Sequence, residues 1–138
     1  QPASYDGEFT QFADVYSQPR PVNGTVPIVV GGHSRAAARR AGRLGDGYFP
    51  AGIDDDQLAT MIDVVRESAE AAGRDPDAVE ITASGLALGG PDPMAAVERY
   101  AAMGVHRLMI APFSYDPAAI GDVLGEFAER IIRPAAEL

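Results

Sequence analysis

The chain has 138 residues, with 20 Asp and Glu against 11 basic residues, a formal net charge of -9 and no cysteine. That length holds one domain with a genuine core, and the acidic balance argues against a nucleic-acid or anionic-membrane partner, which would need a basic stripe to displace counterions. With no thiols and only two histidines, His33 and His106, disulfides, thiolate metal sites, a cysteine nucleophile and a His-rich metal site drop out, and no metal is expected. All the basic residues are arginine, which removes lysine Schiff-base chemistry and a Walker-type phosphate lysine. No apolar run approaches the ~20 residues of a bilayer crossing. Neither a charged nor an apolar leader region follows Gln1, so a cytoplasmic location is expected and the chain reads as a piece of something longer.

In chain order, residues 1–25 read as an extended lead and connector, polar and dotted with aromatics, closed by Gln18-Pro19-Arg20-Pro21-Val22-Asn23-Gly24. Residues 26–138 read as four βα units. Val26-Pro27-Ile28-Val29-Val30 predicts a strand buried on both faces, ending in Gly31-Gly32. Ser34 caps a helix from Arg35 to Leu44, with Gly45 as its C-terminal stop. After the Gly45-Asp46-Gly47 turn, Tyr48-Phe49-Pro50 is a short second strand. Asp54-Asp55-Asp56 open a second helix with an apolar stripe of Leu58, Met61, Ile62, Val65, Ala69 and Ala72, ended by Gly73. A third strand spans Glu80 to Leu88, where Gly85 implies a bulge or a close backbone approach. Asp92 and Pro93 start a third helix running to Met103. Val105 to Ile110 form the fourth strand, and Asp116-Pro117 start a fourth helix that Pro134 ends.

Four consecutive βα units with parallel pairing fit two architectures: a small doubly wound sheet, or half of a (β/α)8 barrel. In both, ligands collect at the carboxyl ends of the strands. The loops to watch are therefore Gly31–Ser34, Pro50–Asp55, Gly89–Asp92 and Ala111–Asp116.

Val29-Val30-Gly31-Gly32-His33-Ser34-Arg35 carries the chemistry. Glycines let an anion approach the backbone, and the first amides of the following helix point at it. From Gly31 to Gly45 the chain has Arg35, Arg39, Arg40 and Arg43 and no acid. Only Arg35 and the loop-tip His33 are placed for direct contact, and His33 serves equally as a plain loop residue; Gly-Gly-x-Ser alone is also an ordinary βα turn. Tyr48, Ser114 and Tyr115 lie near strand carboxyl ends and are candidates for substrate contact. Asp54 to Asp56 read as caps rather than a cation site, Asp46 as a turn residue and His106 as structural. No carboxylate pair or Ser-His-Asp series points to a hydrolase, and no catalytic acid or base is assigned.

The ordered series Pro19-Arg20-Pro21-Val22, Val26 to Ser34, Ala38-Arg39-Arg40-Ala41, Leu44 to Pro50 and Ala72-Gly73-Arg74-Asp75-Pro76 resembles the carboxyl-terminal half of the luciferase-like monooxygenase superfamily. The GGHS and RRA wording is most similar to its actinobacterial F420-dependent oxidoreductase branch. The resemblance implies a TIM-like barrel that holds coenzyme F420, or alternatively FMN, at its carboxyl-end mouth. It carries cofactor-phosphate binding onto Gly31, Gly32, His33 and Ser34, with Arg35 beside them. The enzyme it implies passes a hydride between cofactor and a small organic substrate. The superfamily's first four βα units have no counterpart here, so the expected partners are that missing half or a second copy in a homo-oligomer, unless the sheet rearranges to cover itself. The competing expectation is a non-catalytic α/β module that binds a phosphate-bearing ligand or dimerises.

Overall fold

The computed structural model describes residues 1–111 and 114–137. Its lead is more than an extended connector: Ala3–Asp6 (β1) and Gln11–Val15 (β2) pair antiparallel. The Gly7 N–H closes the turn on the Thr10 carbonyl at 3.0 Å, and the Tyr5 and Phe12 rings meet across the ribbon, 6.1 Å between centroids. Cross-strand aromatic pairs of this kind are what hold a two-stranded ribbon.

The rest alternates strand and helix: Val29–Gly31 (β3), Arg35–Leu44 (α1), Gly47–Phe49 (β4), Asp55–Ala71 (α2), Glu80–Ser84 (β5), Pro93–Met103 (α3), Arg107–Met109 (β6), Ile120–Phe127 (α4) and, after a π turn over Ala128–Ile132, Arg133–Ala135 (α5). The sheet order is β3-β4-β5-β6, every pair parallel. That order decides between the two architectures. A doubly wound sheet reverses its strand order at a switch point, whereas here each strand lies beside its sequence neighbour, and right-handed crossovers then place every helix on one face. The result is the α/β arrangement of half a TIM-like barrel.

Val30, Tyr48, Ile81, Ala83 and Leu108 pack against the helices, while the opposite face is open enough to leave Val29 51% and Met109 47% exposed. This corrects the expectation for the first strand. It is shorter than 26–30, and Val26, Ile28 and Val29 are exposed, because β3 is a sheet edge with one bare face. Asp46 tends that edge: its carboxylate accepts the Ile28 N–H at 2.8 Å, and its own N–H donates to the Ile28 carbonyl at 2.9 Å.

Further boundaries differ, and the fourth strand spans Arg107–Met109 rather than Val105 to Ile110. The third strand ends at Ser84 rather than Leu88, and Leu86–Gly89 is a 3-10 turn. Gly85 makes a close approach instead of a bulge, since a Cβ there would stand 2.9 Å from Ile110 Cγ1. The fourth helix starts at Ile120, after a turn in which the Asp116 carboxylate accepts the Ala118 N–H at 2.9 Å. Pro134 does not end it. The π turn interrupts the ordinary ladder first, so Pro134 falls in the opening turn of α5, where a missing N–H costs nothing.

The stops and caps of the first three helices are in place. Asp54 and Asp92 accept the amides of Gln57 and Ala95 at 2.8 and 3.0 Å. Asp55 pairs with Arg99 at 2.8 Å, so the acidic run is engaged in capping and one ion pair. Gly45 does end α1, but in an extended conformation; space rather than a left-handed turn requires it, because a Cβ would come within 3.0 Å of Val30 Cγ2. The carbonyls at this helix end are met by a residue from beyond α2 to which the sequence assigns no role of its own. Arg74 donates to the Gly42 and Gly45 carbonyls at 2.5 and 2.7 Å, a cation placed on the negative end of α1. Its one sequence signal is an arginine directly after the glycine stop of α2.

Candidate functional site

β3 leaves the sheet edge as Gly31-Gly32 and feeds α1 through His33 and Ser34. Gly32 has φ +109°, a conformation that excludes most side chains. A Cβ on Gly31 would meet nothing within 4 Å, so the approach to the loop backbone is open. Ser34 caps α1: its hydroxyl accepts the Ala37 N–H at 3.2 Å and its carbonyl the Ala38 N–H at 3.0 Å. A helix has no acceptor for its first amides. The cap disposes of those at Ala37 and Ala38, which leaves Arg35 and Ala36 without a partner inside the helix. Residues 31–36 are all exposed. α1 adds Arg35, Arg39, Arg40 and Arg43 and no acid in its first turn. The arrangement is an exposed backbone stretch at a strand's carboxyl end, beside a helix start and its arginines, and chemistry of this kind can receive a small anion.

The structure thus brings Gly31, Gly32, His33, Ser34 and Arg35 together, sets Tyr48 behind them and places Ser114 and Tyr115 apart. Tyr48, on the neighbouring strand, is fully buried on the helix side of the sheet, and its hydroxyl donates to the Gly32 carbonyl at 2.9 Å. It supports the loop from behind. Ser114 and Tyr115 follow β6, three strands from the loop; the Ser114 hydroxyl accepts the Asp116 N–H at 3.1 Å, and Tyr115 is 83% exposed. The preceding Pro112 and Phe113 of that loop lie outside the described residues. His106 stitches β5 to the chain entering β6: its Nδ1 accepts the Ile81 N–H at 3.0 Å, and its N–H donates to the Ile81 carbonyl at 2.9 Å.

A cavity of about 460 Å³ opens at the carboxyl ends of β4 and β5, lined by Ile53, Asp54, Asp55, Ser84, Leu86 and Tyr100 among others. A more apolar one of about 470 Å³ lies under the C-terminal helix, between Val97, Leu108 and Ile131. Neither includes residues 31–35, so the loop is an open surface feature of this chain.

Burial raises the Tyr48 phenol above its ordinary value of 10.0. Tyr100 is raised first by burial, then by the hydrogen bond and negative charge of Asp55, with Arg99 opposing. Groups raised in this way give their full stabilisation below the unfolded-state pKa and lose it as pH climbs through the folded-state value, because the unfolded chain ionises first. Stability should therefore decline above about pH 10, with the late phenolate absorbance and the loss of helical circular dichroism rising together. Helix content that stays flat while all phenolates form would refute this.

The family description that matches is luciferase-like monooxygenase, over residues 1–132. Among curated proteins, the chain is 35% identical over 80 residues to an F420-dependent glucose-6-phosphate dehydrogenase of Mycolicibacterium gilvum, 55% of this chain and 23% of that protein. It is 37% identical over 71 residues to an FMNH(2)-dependent dimethylsulfone monooxygenase of Pseudomonas putida, 51% of this chain and 20% of that one. Among solved structures, an F420-dependent secondary alcohol dehydrogenase in complex with an F420-acetone adduct superposes with a TM-score of 0.71 at 18% identity, covering 97% of this chain and 56% of its own. The chain spans about half of that solved structure and about a quarter or less of the curated relatives' length.

Proposed function

The chain belongs to the luciferase-like monooxygenase family, and on that premise we propose that it forms the cofactor-phosphate side of an F420-dependent oxidoreductase. The observation that carries this is the diglycine loop: exposed backbone, left-handed Gly32, a serine-capped helix and four arginines in a chain of net charge -9. The residues fit the group. Gly31 leaves room for it, and the amides from His33 to Ala36 together with the Arg35 guanidinium would hold its phosphate. When bound, the cofactor supplies the redox centre and exchanges a hydride with a small organic substrate.

What the chain itself contributes is position and charge. The loop fixes one end of the cofactor, the arginines of α1 offset its negative charge, and the carboxyl ends of β4 to β6 form the mouth, with Ser114 and Tyr115 on its far side as substrate contacts. Closing the cylinder over the bare sheet face takes four more βα units, from an N-terminal half or from a second copy of this chain. The FMN-dependent relative supports FMN as the second reading, since both cofactors present a phosphate on a flexible arm.

Fluorescence titration with F420 and with FMN tests the reading. Saturable binding that weakens as phosphate or salt is raised is expected, with F420 the tighter ligand. Binding of neither cofactor would overturn the assignment, and clean dimerisation without it would favour a non-catalytic module.

A further inference from the structure

We propose that Tyr48 is a positioning residue for the diglycine loop, holding the Gly32–His33 peptide with its N–H turned outward to the incoming anion. This rests on the reading of that loop as the cofactor-phosphate site. Tyr48 is fully buried, its ring locked among core residues, and its hydroxyl donates to the Gly32 carbonyl at 2.9 Å. In a trans peptide the C=O of one residue and the N–H of the next point in opposite directions. A Gly32 carbonyl held inward by Tyr48 therefore directs the His33 N–H away from the core.

Glycine makes the pin necessary. At φ +109° Gly32 is in a region where glycine has several accessible wells, so the peptide can rotate without a side chain to stop it. Rotated by half a turn, the same peptide would present a carbonyl oxygen to the ligand, and an anion cradle would become a repelling group. Gly32 and His33 are exposed and lie between the end of β3 and the start of α1, so neither the strand ladder nor the helix ladder fixes their peptide. The Tyr48 hydroxyl is thus the group that selects the anion-accepting orientation. It acts from the next strand over, on the side of the sheet away from the ligand.

The test uses Tyr48→Phe, which keeps the buried ring and removes only the donor. The unmodified chain and the variant are titrated with F420 and FMN and with their phosphate-free counterparts, the unphosphorylated deazaflavin and riboflavin. The expected result is a loss of about tenfold in affinity for the phosphate-bearing pair and little change for the phosphate-free pair. The His33 amide resonance of the free protein should also move while those of β5 stay. Equal affinities for variant and parent, or an equal loss for both pairs of ligands, would overturn the positioning role. If the unmodified chain shows no preference for the phosphate-bearing ligands, or binds none, the phosphate reading fails first and the role of Tyr48 with it.

Discussion

Gly32→Val is expected to cost the chain its cofactor affinity while leaving most of the fold intact. The substitution asks a β-branched residue to adopt φ +109° and brings a Cβ to 3.3 Å from the Ala37 Cβ. Holding a side chain in such a backbone region costs about 1–3 kcal/mol, more than a hydrogen bond from Tyr48 typically returns. The loop should therefore relax to a different path, withdrawing its amides from the ligand. A loss of at least about tenfold in F420 or FMN affinity corresponds to the lower part of that cost. Gly31→Ala is the companion variant. Its Cβ meets nothing, so the fold should be indifferent to it, and weaker binding would report the methyl group meeting the ligand itself. Undiminished binding in the Gly32 variant would remove the phosphate assignment, whatever the stability.

The largest effect on stability is expected one helix turn short of the α1 terminus. Gly42 lies where α1 crosses α2: a Cβ there would run into the Val65 carbonyl oxygen and come within 2.9 Å of the Ser68 Cβ. Backbone cannot step aside as a side-chain tip can, so Gly42→Ala must push the helices apart, and overpacking of that kind costs about 1–3 kcal/mol or more. The displacement would also pull the Gly42 and Gly45 carbonyls from Arg74 and loosen Ala38 and Ala41, both fully buried. Gly42→Val should leave α1 undocked. Gly125 on α4, with nothing around it, is the control: Gly125→Ala should stabilise by about 0.5–1 kcal/mol through helix propensity alone. Chemical denaturation of the three variants decides the point. Equal stability of Gly42→Ala and the parent would show that the interhelical contact yields more easily than its geometry implies.

The candidate loop was legible because its signals are local. A β-branched run, two glycines, a serine and a helix start lie next to one another in the chain, and the structure keeps them contiguous. Tyr48 illustrates the opposite case. Its place beside a strand's carboxyl end suggested a substrate contact, but which side of the sheet a residue faces depends on register, and its partner Gly32 is sixteen positions away. Arg74 and Asp46 were hidden for the same reason, since each serves an element that folding alone brings near.

Local chemistry along the chain is enough for the alternation of strand and helix, the caps at Ser34, Asp54 and Asp92, and the concentration of arginine along α1, because each depends on residues within one or two turns of each other. Long-range pairing settles what no local signal can: the strands run in sequential order, β3 is an exposed edge rather than a buried strand, and a tyrosine on β4 donates its hydroxyl to the Gly32 carbonyl. Strand order and facing are set by long-range pairing, whose free energy depends on the whole sheet and its helices at once, and no window along the chain contains it.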